Sequence, residues 1–315
     1  MTNYVIKRIL AMFPTIIGVT IVVFLLLQLI PGTVVEQMLG IHSSDPVAQE
    51  RLRAFFGLDL PVHVQYWNWL SDMLTGNMGV SWRTGQELLP RILLAFVVTG
   101  EMALAAVIVS FIIGVSLGII AALRPYGIFD GVLRILSIAG VSIPVFFQGA
   151  LLILIFSMLP IWSPPVTYHY PWESLSKNLQ IMLLPALTLG IASSAVIMRM
   201  TRSSLLEILG QDFIRTARSK GLSERVVVFR HALKNVMINI ITAIGLQFGQ
   251  IIGGIVVIEV IYTLPGVGQL IYNGLIQRDF PLVVAGIMFI TIVTLFVNTG
   301  VDIIYKVADP RIRYE

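Results

Sequence analysis

Six stretches of this chain, residues 9–30, 97–123, 132–159, 179–200, 236–262 and 281–307, are predominantly apolar over about 20 residues or more. That is the length needed to cross the ~30 Å hydrocarbon core of a bilayer. Hydrocarbon offers no hydrogen bonds, so each stretch must satisfy its own backbone as a helix. Composition agrees: 57% of the 315 residues are hydrophobic and 12% are charged, against about 45–50% and 25% in soluble domains. A water-soluble enzyme and a disordered chain are both excluded. The expected fold is an all-α polytopic membrane protein with six transmembrane helices. The first stretch, with Lys7 and Arg8 ahead of it and no small-residue cleavage site before Pro31-Gly32, reads as a retained anchor.

Charge placement orients the spans. With the N-terminus inside, 15 of the 21 Lys and Arg fall on internal segments and 6 on external ones, as the positive-inside rule requires. Both termini are expected inside. This distribution accounts for the net charge of +4 without a nucleic-acid partner.

Two non-membrane pieces are sizeable. In the external one, residues 31–96, Tyr66, Trp67, Trp69 and Leu70 crowd as on an interfacial amphipathic helix, and Gly76-Asn77-Met78-Gly79 reads as a turn. An aromatic belt at the membrane surface and a docking surface for an external partner both fit. The internal piece, residues 199–235, is the most polar, with eight Lys/Arg and three acids, and is expected to hold two or three short helices.

Much chemistry is absent from the sequence. There is no cysteine, hence no disulfide and no thiolate ligand. No phosphate-cradling G-x-x-x-x-G-K-[ST] or H-E-x-x-H motif occurs. His42, His63, His169 and His231 lie outside the spans. The acids nearest the membrane, Glu101, Glu259 and Asp302, fall near span ends, where ion pairs or helix-end hydrogen bonds are expected. With so little charge at mid-membrane, the energy for any transport is expected to come from outside the chain.

The spans are rich in small and helix-interrupting residues. Gly114 with Gly118, Gly140 with Pro144, Pro185 with Gly190, and the row Gly245, Gly249 and Gly253 stand out. Four-residue glycine spacing permits close helix packing, and Pro144 and Pro185 are expected to kink their helices. Ordinary packing competes with a role in lining a moving pathway.

The internal loop is the most specific feature. It reads Asp212-Phe213-Ile214-Arg215-Thr216-Ala217-Arg218-Ser219-Lys220-Gly221-Leu222-Ser223-Glu224-Arg225-Val226, then Phe229-Arg230-His231-Ala232-Leu233-Lys234. Ala217 and Gly221, four apart, are expected to share a small face, and Gly221 can supply a positive φ between two short helices. Insertion into a cytosolic partner and a basic loop that merely enforces topology remain equal on spacing alone.

The loop is similar to the E-A-A-x3-G segment of ABC-importer permeases, in the variant of the dipeptide/oligopeptide/nickel permease family, which runs close to R-T-A-R-x-K-G-L and F-R-H-A-L-K. Ala217, Gly221 and Leu233 fit the general form. Other pieces resemble that family in the same order: Arg8 to Pro14, Leu29-Ile30-Pro31-Gly32, Gly57-Leu58-Asp59, Ser142-Ile143-Pro144, Glu259, Pro265-Gly266-Val267-Gly268, Arg278-Asp279-Phe280-Pro281 and Asp309-Pro310-Arg311.

The resemblance implies half of a type I ABC importer in a prokaryotic cytoplasmic (inner) membrane. It implies an anchor helix and external segment over residues 1–94, a permease domain over 95–307 and a tail over 308–315. A homologous second permease, two ATPase subunits and an external substrate-binding protein would be partners, alongside membrane lipid. The chain would bind no metal or cofactor, ATP and Mg²⁺ being used by the ATPases. Arg215, Thr216, Ala217, Arg218, Lys220, Gly221, Leu222, Ser223, Arg225 and Val226 would form the coupling loop. Pro144, Pro185, Gly249, Gly253 and Glu259 are the pathway and hinge candidates. Short peptides are the expected cargo, with nickel, glutathione or oligosaccharides as alternatives. The rival class is a stand-alone secondary carrier or channel.

Overall fold

The computed structural model describes residues 2–29, 46–55, 57–159 and 163–308. The Pro31-Gly32 break, the acids Glu36 and Asp45, His42 and the Asp309-Pro310-Arg311 tail lie outside them. Eleven helices carry the described residues: α1 (Thr2–Leu29), α2 (Pro46–Phe55), α3 (Val62–Leu74), α4 (Leu88–Leu123), α5 (Ile128–Ser142), α6 (Val145–Met158), α7 (Leu175–Leu209), α8 (Asp212–Ser219), α9 (Leu233–Ile261), α10 (Val267–Ile276) and α11 (Phe280–Ala308). A single helical turn, Glu224–Val226, and a π-helical turn, Val227–Ala232, lead into α9. Among the described residues, the only extended pairing is one bridge between Val80 and Glu87.

Among the described residues, five helical segments are long and apolar enough to span a membrane: Val5–Leu26, Leu88–Leu123, Leu175–Leu209, Glu224–Ile261 and Phe280–Ile303. At 1.5 Å per residue, α4 and α7 are each over 50 Å long, so they run well past the hydrocarbon.

The third expected span is not one kinked helix. It is broken, with α5 and α6 meeting at 109°. Pro144 cannot donate to Gly140 and disfavours a helical Ile143; Ile143 is extended, at φ −81° and ψ 124°. Gln148 makes the break tolerable. Its side-chain amide donates to the carbonyls of Gly140 and Ile143, both at 2.9 Å, supplying the former with the donor that Pro144 lacks. Gln148→Leu is expected to lower stability by about 1–3 kcal/mol, the cost of stranding such carbonyls, read as a lower melting midpoint in detergent. Pro185, by contrast, lies inside α7, which continues through it from Leu175 to Leu209.

The chain divides into two compact units. The first comprises residues 1–96 and 267–295. In it the aromatic segment is fastened to α1 rather than lying alone at an interface. Phe24 meets the rings of Tyr66 and Trp69 at 5.3 and 5.8 Å, and the Tyr66 hydroxyl hydrogen-bonds Thr20 Oγ1 at 2.9 Å. Trp67 is left exposed. The expected turn is present, with Gly76 and Gly79 both at positive φ. Asp279 holds the segment that follows: its carboxylate accepts from the Ser81 hydroxyl and, at 3.0 Å, from the Trp82 N–H.

The second unit comprises residues 97–266 and 296–315. Here α4 and α7 pack through reciprocal glycines. A Cβ on Gly114 would lie 2.7 Å from that of Ile197, one on Gly118 would lie 2.6 Å from that of Thr201, and one on Gly190 would strike Val109. The other glycine row behaves differently. Gly249 has Asn298 at 3.3 Å from such a Cβ, and Gly253 has nothing within 4 Å.

Candidate functional site

The polar loop is built on the second unit. After Leu209 the chain bends at Gly210 and forms α8, whose buried side chains are Ile214 and Ala217. These two join Val115, Ile119 and Ala122 of α4, Ile197 and Leu205 of α7, and Val236 and Ile240 of α9 in one apolar cluster. Burying such side chains contributes about 1.5–3 kcal/mol for each large one, so α8 is held as part of the bundle's end.

This corrects one expectation. Ala217 and Gly221 do not share an exposed small face, because Ala217 is buried in the chain's own core and the helix stops at Ser219. Gly221 adopts φ +77°. The Leu222 N–H reaches back to the Ala217 carbonyl at 3.4 Å, and the Gly221 N–H to the Arg218 carbonyl at 2.9 Å. That pair of bonds is the Schellman ending of a helix, which needs a left-handed residue at the position Gly221 occupies. The positive φ expected from the sequence is therefore met, for a reason of chain reversal.

The turn then closes on itself. Arg218 donates from Nε to Glu224 Oε1 at 2.7 Å and from its terminal nitrogen to Oε2 at 3.2 Å, and this pairing holds the Arg218 guanidinium above its ordinary pKa. Arg215, Thr216, Lys220, Leu222, Ser223 and Arg225 are exposed, and Val226 is half-buried. Three large apolar side chains stand among them in contact with solvent: Phe213, Leu222 and Phe229, at 41%, 39% and 54%. The π-helical turn beside the loop is anchored by buried Val227, Val228 and Ala232. The geometry is a basic, partly apolar protrusion mounted rigidly on the ends of three spans.

Beside the loop, α5 is tied to α7 by an ion pair that sequence reading missed. Asp130 is fully buried and accepts from Arg202 Nε at 2.6 Å and from its terminal nitrogen at 2.7 Å. It also accepts from the Tyr126 N–H at 3.0 Å, which holds that residue at φ 63° in the tight turn before α5. A carboxylate at a helix start four residues after Arg-Pro-Tyr was the available signal. Its partner, 72 residues away, had none.

The acids expected near the outer span ends, Glu101 and Glu259, accept hydrogen bonds from neutral side chains. Glu101 accepts from the Tyr168 hydroxyl at 3.0 Å and the Asn178 amide at 3.1 Å. Burial, with the Glu101 carboxylate nearby, pushes the Tyr168 phenol well above its ordinary range. Glu259 is fully buried, accepts from Thr99 Oγ1 at 2.6 Å, and lies where a Cβ on Gly266 would be. Gly266 is thus the residue that lets the Pro265–Gly266 turn close over this carboxylate.

Comparison with known proteins agrees with this architecture. The pattern of the binding-protein-dependent transport system inner membrane component family matches residues 114–314, and that of its N-terminal region matches residues 1–118. The di/tripeptide transport system permease protein DppB of Pseudomonas aeruginosa is 37% identical, with all of both chains covered. The dipeptide transport system permease protein DppB of Alkalihalophilus pseudofirmus is 35% identical, and the glutathione transport system permease protein GsiC of Escherichia coli K12 is 36% identical, each again over the full length of both chains. Two family patterns that together span nearly the whole chain, and an almost wholly helical structure with five apolar spanning segments and a broken sixth, lead to one conclusion: the chain belongs to the family of inner-membrane components of binding-protein-dependent transport systems, the permease subunits of type I ABC importers.

Proposed function

We propose that this permease serves an ATP-driven importer of short peptides. The observation that carries the cargo class is full-length similarity to permeases of dipeptide and di/tripeptide systems. The 36% match to glutathione permeases keeps that tripeptide thiol as a second reading. In the complete importer, a homologous second permease completes the pathway, two ATPase subunits use ATP and Mg²⁺, and an external binding protein delivers cargo. The segment containing Arg215, Thr216, Arg218, Lys220, Leu222, Ser223, Arg225 and Val226 meets the ATPases and moves with α4, α7 and α9, because buried Ile214 and Ala217 lock it to them. Both termini and this loop then lie on the cytoplasmic side.

The test is uptake of radiolabelled dialanine into proteoliposomes holding the whole importer, with ATP enclosed. Gly221→Val puts a β-branched residue at φ +77°, a strain of roughly 1–2 kcal/mol that reshapes the loop. ATP-driven uptake should fall at least tenfold, while Gly221→Asn, which tolerates that conformation, keeps most of it. Uptake by the chain alone on an ion gradient would support the carrier reading and end this one.

A further inference from the structure

The break in the third span opens a cleft of about 240 Å³ lined by Gly140, Pro144, Ser193, Gln247 and Gln250, among others. Ser193 lies near the middle of α7 and Gln247 near the middle of α9. They are 8% and 7% exposed. Among the described residues, the side chains of Ser193, Gln247 and Gln250 make no hydrogen bond.

Near the middle of their spans, Ser193 and Gln247, buried without a partner among the described residues, and Gln250, exposed beside them, are costly if they face lipid, since an amide in hydrocarbon without a partner loses several kcal/mol. Broken backbone at that depth is likewise tolerated where it lines a polar cavity. No charged side chain lines the cleft, and its walls are otherwise apolar, with Val145, Leu189 and Ile251. A glutamine amide presents donors and an acceptor, and a serine hydroxyl one of each kind. That set complements a peptide group, with its one N–H and one C=O. It supplies no opposite charge for an ammonium or carboxylate terminus. At 240 Å³ the cleft is smaller than ordinary ligand pockets of roughly 300–1,000 Å³, so it holds a residue or two.

We propose that this cleft is a transient subsite of the translocation pathway that takes the uncharged peptide group of passing cargo through Ser193, Gln247 and Gln250. The assignment rests on the peptide-import reading and deepens it: the subsite reads backbone, and tolerates varied side chains against its apolar walls.

The chain has no cysteine, so Gln250→Cys carries a unique thiol, read on this subunit's band in the assembled importer. A charged, membrane-impermeant methanethiosulfonate, added on each side in turn during ATP turnover, should label it. Dialanine with its binding protein should slow labelling several-fold, and free alanine should not. Gln247→Leu should raise the KM for dialanine uptake several-fold with little change in the ATPase rate. If Gln250→Cys does not assemble, Ser193→Cys replaces it. Labelling only by an apolar maleimide makes the face lipid-exposed and overturns the subsite. Labelling that dialanine leaves unchanged, in an importer that still transports dialanine, overturns it while sparing the peptide-import reading. An importer that carries no peptide ends both.

Discussion

Arg202→Ala should be among the most damaging single substitutions in this chain. It leaves Asp130 fully buried with its close charge partner gone. The remaining cation, Arg134, lies 3.8 Å away on a side chain that is 53% exposed, where solvent screens it. Removing one member of a buried pair costs about 3–5 kcal/mol, because the other stays desolvated and uncompensated. The apparent melting midpoint in detergent should fall by roughly 10 °C, and the yield of monodisperse protein should drop with it. Asp130→Asn combined with Arg202→Gln, neutral and still able to hydrogen-bond, should recover more than half of the loss. A midpoint for Arg202→Ala equal to that of the parent would show that the α5–α7 tie contributes nothing.

The second large effect concerns which glycines matter. Gly190→Ala drives a methyl into Val109 and to within 3.1 Å of the Ala106 carbonyl, and Gly118→Ala places one 2.8 Å from the Met198 carbonyl. Backbone oxygens in a packed helix cannot move aside, so each substitution forces α4 and α7 apart. Overpacking of this kind costs typically 1–3 kcal/mol and sometimes more. Gly253→Ala meets nothing within 4 Å and should be neutral, or gain up to about 1 kcal/mol from helix propensity. Melting of the isolated subunit decides the matter. Equal losses at Gly190 and Gly253 would mean that the close α4–α7 approach is not what fixes this unit.

These two cases mark where sequence reading stops. The four-residue spacing of Gly114 with Gly118 and that of Gly249 with Gly253 look alike in one dimension. Spacing says that a bare face exists, not whether another helix of this chain covers it. Asp130 and Arg202 each flank an apolar stretch, but nothing local links positions so far apart. Ala217 shows the same limit in reverse: a small residue in a basic loop reads as exposed until three helices are seen to close over it.

What the sequence determined by itself is what short-range physics enforces. Apolar runs of about 20 residues must be helices in hydrocarbon, because there is no water to satisfy the backbone. The Lys and Arg bias orients them, the loop's basic helix and its reversal at Gly221 follow from local preference, and the ordered motifs carry the family. Tertiary structure alone decided the rest: that Pro144 breaks its span with Gln148 capping the break, which glycines are contacts, where buried carboxylates find partners, and which uncharged polar groups converge on one cleft. Each depends on what a residue meets across space, and at mid-membrane depth that meeting separates a costly orphan from a site.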